Sequence, residues 1–193
     1  NGGKGFCRGQ EDYGFIGNSV GTDSTVPIEI DMSGHVDSKN FSKISVAMGT
    51  VCGLHATSNK MYCWGSRWSG AMGDGVGTPN QLTPFEIDMM TPLGITNSFV
   101  EMSNTFGGAC GIHTNGKTYC WGYANAYGAP LTGDNSQLPI EINMRNNAEE
   151  NTFAKLGDMG RQSSYWNTCA IHTNNKAFCW GGSWSPAFGD GLG

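Results

Sequence analysis

CGIHTNGKTYCWG, Cys110 to Gly122, is the stretch whose reading decides the fold. Two apolar runs flank Thr114-Asn115-Gly116, which suits a three-residue hairpin loop with Gly116 in the left-handed position. That register pairs His113 with Lys117 across the mouth of the turn. It sets Cys110 opposite Cys120, where cross-strand Cβ atoms are close enough for a disulfide. The element recurs as CGLHATSNKMYCWG (Cys52 to Gly65), with one more loop residue between Ala56 and Asn59. It recurs again as CAIHTNNKAFCWG (Cys169 to Gly181), where Asn175 takes the place of the glycine. A cut copy, GKGFCRG, runs from Gly3 to Gly9. Copies of one hairpin at regular spacing mean a repeat fold.

The register predicts disulfides Cys52–Cys63, Cys110–Cys120 and Cys169–Cys179, each closing a loop of about a dozen residues and contributing roughly 2–3 kcal/mol by chain entropy. Cys7 aligns with the second cysteine of each pair and is unpaired within the chain. Its expected partner lies outside this sequence or in another copy. On the face away from the sulfurs, Tyr62 lies opposite Gly53, Tyr119 opposite Gly111 and Phe178 opposite Ala170. Each large ring is expected to cover its small partner. Trp64, Trp121 and Trp180 follow over Val51, Ala109 and Thr168, while Leu54, Ile112 and Ile171 extend the sulfur face. Both faces are apolar, so the hairpin must be sandwiched between neighbours, as in a propeller or a stacked solenoid.

Outside the hairpin, the strand Pro27–Met32 recurs as Pro84–Met89 and Pro139–Met144, with strict alternation of apolar residues against Glu29, Asp31, Glu86, Asp88 and Glu141. Proline at its first position suits the start of an edge strand, read here as the outermost strand of a blade with a solvated acidic rim. A further strand opens each repeat: Phe41–Ile44, Phe99–Met102 and Phe153–Leu156. A repeat therefore has four strands. The CWG or CRG tripeptides, counted from Cys7, Cys63, Cys120 and Cys179, fall 56, 57 and 59 residues apart. Four strands in a unit of that length is a propeller blade.

The run TCAIHTNNKAFCWG followed by GDG resembles the repeat of the regulator-of-chromosome-condensation family, in the cysteine-bearing variety found in secreted and surface proteins. The likeness recurs in register over nearly the whole chain. It departs from the family where Glu11, Arg67 and Ser183 replace the asparagine kept as Asn125, and where Pro186 replaces a glycine. It implies a seven-bladed propeller, for which blades of this size would need about 400 residues. The expectation is thus an all-β chain forming about three and a half four-stranded blades, an arc of a larger ring. Residues 1–34 would end one repeat, 35–97 and 98–151 would each form one, and 152–193 would form an incomplete one.

A net charge of −5 disfavours nucleic acid and anionic lipid as partners, and no apolar run is long enough to cross a membrane. Paired cysteines at every hairpin imply an oxidising compartment, hence an extracellular or cell-surface location, against the reduced nucleus where the family's nucleotide-exchange member works. Each copy also carries Cys-x-x-His, but residues three apart on a strand point to opposite faces, so a metal site is not expected. The three hairpin histidines occupy one structural position, and His35 has Asp37 nearby but no obvious nucleophile. No cofactor motif or catalytic constellation is present, and the chain is not expected to be an enzyme.

Function in a repeat protein sits where copies differ. The third repeat carries five extra residues before Cys169, in or near Arg161–Trp166. Candidate binding residues are therefore Arg161, Tyr165 and Trp166, with Arg67, Trp68, Tyr123, Tyr127 and Trp184 from the loops after CWG. Exposed Trp, Tyr and Arg are the types that anchor interfaces. Asn40-Phe41-Ser42 is the one glycosylation sequon. The sequence thus points to a non-catalytic secreted or surface propeller that contacts a protein or further copies of itself, as a structural or filament component. The alternative is a secreted inhibitor or receptor-type binding propeller.

Overall fold

The computed structural model describes residues 3–77, 79–105, 107–123, 136–142, 144, 150–157, 160–162 and 165–181. It is a partial β-propeller. The first complete blade orders its strands β4 (Asn40–Ala47), β5 (Thr50–His55), β6 (Met61–Gly65), β7 (Gln81–Glu86). The next repeats this order with β8 (Phe99–Thr105), β9 (Gly108–His113), β10 (Thr118–Gly122) and β11 (Ser136–Glu141). The third holds β12 (Phe153–Leu156), β14 (Tyr165–His172) and β15 (Ala177–Gly181), with β13 (Gly160–Gln162) paired to the start of β14. Ahead of them, β2 (Phe6–Gly9) pairs with β3 (Ser24–Glu29), and β1 (Gly3–Lys4) reaches across to β4. The first strands β4, β8 and β12 lie beside one another and form the inner wall of the arc.

The hairpins form in the expected register, with Cys52 opposite Cys63, Cys110 opposite Cys120 and Cys169 opposite Cys179, and all three disulfides are made. Asn59, Gly116 and Asn175 take the left-handed turn position. The His and Lys at each mouth are joined by a backbone hydrogen bond of 2.8 Å. The lysine side chains then reach the acids of the outermost strand: Lys60 to Glu86 at 3.0 Å and Lys117 to Glu141 at 2.9 Å, while Lys4 and Lys39 hold Glu29. The acidic rim is thereby tied to its own blade as well as solvated.

Stacking of blades builds the core. The sulfur face of one hairpin packs on the ring face of the next: Cys52, Leu54, Cys63, Ile87 and Met89 lie against Phe99, Met102, Tyr119 and Trp121. The same layer recurs one blade earlier, with Ile30 and Met32 against Phe41, Tyr62 and Trp64, and one blade later, with Ile112 against Phe153 and Ala170. Apolar faces on both sides of a sheet leave water only by this sandwiching.

Three expectations are corrected. The ring that seats on the small hairpin residue comes from the blade's first strand: a Cβ on Gly53 would meet Phe41 at 2.7 Å, and one on Gly111 would meet Phe99 at 2.5 Å. Tyr62 and Tyr119 are the register partners of these glycines, as expected, but Phe41 and Phe99 claim the space above them. The outermost strands begin three residues early, so Pro27, Pro84 and Pro139 stand inside them rather than at their first position. The register shifts where Trp64 faces residues 82–84, and a bulge on an edge strand is where a residue lacking N–H is tolerated. Finally, the inner strands β4 and β8 are longer than the four residues expected.

Candidate functional site: the glycine-loop face

The hairpins run from a turn rim to a rim formed by the glycine-rich loops that follow CWG. At the turn rim the repeated histidines are structural. Nδ1 accepts a backbone N–H of its own turn, from Ser58 at 3.1 Å, Asn115 at 3.0 Å and Asn174 at 3.2 Å. Nε2 then carries the hydrogen and meets the linker before the first strand of its own blade: Thr96 O at 2.9 Å, Glu150 O at 2.8 Å and Ser38 Oγ at 3.3 Å. The first of these turns holds one more group. Burial works against the Asp37 carboxylate, but hydrogen bonds from Tyr62 and Ser58, with His55 and Lys60 close by, hold it below its ordinary value. His35 sits edge-on to Tyr62 at 4.8 Å and meets Pro84 O at 2.7 Å. Ser58 Oγ lies between His55 Nδ1 at 2.8 Å and Asp37 at 3.0 Å, so the serine is tied into a turn rather than aimed outward.

The glycine loops are positioned by the following blade. Trp64 Nε1 donates to Phe15 O at 3.0 Å, and Trp121 Nε1 donates to Ala71 O at 3.1 Å. Each indole lies under a glycine: a Cβ on Gly17 would sit 2.7 Å from Trp64 Nε1, and one on Gly73 3.0 Å from Trp121 Nε1. Gly75 N donates to Gln137 O at 2.9 Å and Ser19 N to Leu82 O at 3.2 Å, so each loop is also stitched to the next outermost strand. The tryptophan of CWG is thus a staple between repeats. Its glycine is required because a side chain on Gly122 would collide with the carbonyl of Gly107, and Gly65 meets Gly49 in the same way.

Within this frame the candidate residues separate. Arg67 is mostly buried and pairs with Asp74 at 2.9 Å and Gln81 at 2.7 Å, over the Phe85 ring. Glu11, at the same place in the preceding loop, accepts the Ile16 N–H; burial and Asp23 raise its carboxyl above the ordinary value. Both residues organise their own loops. Trp68 is 49% exposed and stacks on Tyr123 of the next repeat, with centroids 5.8 Å apart at 24°. Arg161 and Trp166 face each other across β13 and β14, beyond the pair Asn167–Gly181 that marks the loop rim in this blade. Tyr165, Trp166 and Arg161 are therefore carried past the rim, on the same face as Trp68 and Tyr123; for these three only the backbone is described. Tyr127 and Trp184 lie outside the described residues. Asn40 opens β4 and is half-buried.

Sequence reasoning missed one part of this face. Between the first and second loops lies a cleft of about 680 Å3, lined by Gln10, Asp12, Tyr13, Phe15, Trp68 and Asn80, together with Met48 and Gly49. The signal was present: Tyr13 stands six residues after Cys7, where Ser69 stands six after Cys63, a difference between copies.

No family model and no curated protein matches the chain in sequence. Solved structures match it in fold. Human WBSCR16 is similar over 92% of this chain and 42% of its own, with 13% identity and a TM-score of 0.67. Prp20p of Saccharomyces cerevisiae, described with its binding to Gsp1p and histones, is similar over 99% of this chain and 44% of its own, with 16% identity and a TM-score of 0.71. The fold is that of a regulator-of-chromosome-condensation-like propeller, and the chain spans less than half the length of these two proteins.

Proposed function

We propose that this chain is part of a non-catalytic, secreted or cell-surface propeller that binds protein through its glycine-loop face. The observation that carries the reading is the third-repeat insert. It is folded as an extension of β14 past the loop rim, and it brings Arg161, Tyr165 and Trp166 to the side that already presents the Trp68–Tyr123 stack. Aromatic and Arg residues brought to one side of a fold are the residue types of which interface hot spots are made. The extracellular assignment rests on the three hairpin disulfides, which a reducing cytosol or nucleus would not maintain. Prp20p, with the same fold, is described as binding proteins, which supports this class of role. Asn40 is the proposed glycan acceptor.

A structural role, with copies assembling on a surface, is favoured over a secreted inhibitor or receptor module. The test is the association state of the natural full-length protein by size exclusion over a range of concentrations, with the Tyr165→Ala/Trp166→Ala double variant alongside. Concentration-dependent assembly that the double variant weakens, with its melting temperature unchanged, is expected. A monomer at all concentrations favours the inhibitor or receptor reading. A double variant that unfolds would show these side chains to be core.

A further inference from the structure

The cleft between the first two loops lies apart from the third-repeat insert and has a lining of its own. Its walls are aromatic: Tyr13 is 47% exposed, Trp68 is 49% exposed, and Phe15 lies beneath Tyr13 with ring centroids 5.6 Å apart. Gln10, Asp12 and Asn80, all exposed, add polar side chains to the same lining as Tyr13. Among the described residues none of these four groups has a side-chain hydrogen-bond partner, so an amide at each of two positions, a carboxylate and a phenol stand with their donors and acceptors open. Among the described residues no lysine or arginine lines the space. The Arg67 guanidinium of the second loop is turned into Asp74 and Gln81.

We infer that this cleft is a binding site for a neutral saccharide unit. The faces of a pyranose ring are hydrogen-rich and weakly positive, and they complement the negative face of an indole or phenol. The ring's edge is a circle of hydroxyls, each both donor and acceptor, matched by planar amide and carboxylate groups that can engage two at once. An anionic ligand finds no cation here, and a purely apolar one would leave the four polar groups unpaired at a cost in affinity. The volume is in the range that holds one small ligand. The site is set by fixed backbone, since Phe15 O is held by Trp64 of the next blade and Ser66 N by Gly49 O within that blade. It is therefore pre-formed and loses little entropy on binding. This inference does not depend on the protein-binding reading, which rests on the third-repeat insert.

The test is calorimetric titration of the full protein with a panel of neutral trisaccharides (maltotriose, cellotriose, triacetylchitotriose and mannotriose), with decaproline and a heparin fragment as competing ligand classes. Binding of at least one trisaccharide with a millimolar or tighter Kd is expected, unchanged by added salt. Tyr13→Ala and Asn80→Ala should each weaken it by about tenfold, with unaltered melting temperatures because both side chains are exposed. Absence of heat from every trisaccharide at about 10 mM, binding that survives both substitutions, or binding of decaproline or heparin in place of the sugars would each overturn the assignment.

Discussion

Trp121→Phe tests whether the tryptophan of CWG stabilises the junction between repeats or only its own hairpin. Trp121 is fully buried, and its Nε1 is the donor that the structure gives to Ala71 O, fifty residues earlier in the preceding loop. Phenylalanine keeps a ring over Ala109 but removes the pyrrole and its N–H. The lost apolar contact costs about 1 kcal/mol by area. The orphaned Ala71 carbonyl, in a site closed by Gly73, adds about 1–3 kcal/mol. The sum, about 2–4 kcal/mol, should lower the melting temperature of the full protein by roughly 5–15 °C for a domain of this size. The location of the damage decides the matter. Amide exchange should accelerate at Gly73 and Gly75, whose N–H groups bond Gly70 O and Gln137 O, while the disulfide-closed amides between Cys110 and Cys120 stay protected. A variant in which the hairpin amides open and the loop stays protected would refute the inter-repeat role. So would a melting temperature within about 1 °C of the parent.

Three further outcomes are expected. The Asp37 carboxyl is held below its ordinary value, so it contributes stability that is present above the unfolded-state pKa of about 3.9 and is lost as pH falls through its lower folded value. Asp37→Asn should therefore flatten the decline of urea stability between about pH 5 and pH 2, and an unchanged slope would contradict the assignment. The Cys7 thiol is pushed up to about 11 by burial, with the Glu11 carboxylate adding to it. In a chain of residues 1–193 alone, which lacks the partner expected for Cys7, iodoacetamide should modify Cys7 slowly at neutral pH, with a rate still rising about tenfold per pH unit at pH 9.5, where an ordinary thiol has levelled off. Gly122→Ala forces a side chain against the Gly107 carbonyl at a left-handed backbone position and should cost about 2 kcal/mol or more in urea titration, whereas Gly34→Ala, with open space around it, should be near neutral.

What was legible in the sequence was what repeats at short range. Cys110 and Cys120 are separated by one turn, so the turn residues fix their register, and the same argument placed Gly116 and Asn175 at positive φ. The alternation of Ile87 and Met89 with Glu86 and Asp88 fixed which face is buried. It did not fix where the strand begins, because the bulge opposite Trp64 depends on how β6 meets β7. The partners of the tryptophans were not legible at all. Trp64 and Phe15 are 49 residues apart, and only the stacking of blades brings them together. The same holds for Phe41 over Gly53, where the sequence offered two rings for one space and the inner strand supplied the occupant.

The candidate site divides along the same line. Arg67 is a candidate because it breaks the repeat, yet it is paired with Asp74, the aspartate of the repeated Gly-Asp-Gly, inside its own loop. A residue that differs between copies thus marks function only when the shared framework does not already hold it. Tyr13 and Trp68 pass that test. Trp68 stacks on Tyr123 and keeps about half its surface exposed, and Tyr13 replaces the position of Ser69 with a ring that packs on Phe15 along one side and leaves nearly half its surface to solvent. Large rings held rigidly at a rim, beside polar groups with open valences, are not explained by folding. The loop face is where binding should be sought, because the turn rim has already committed its histidines, its lysines and Asp37 to holding the blades together.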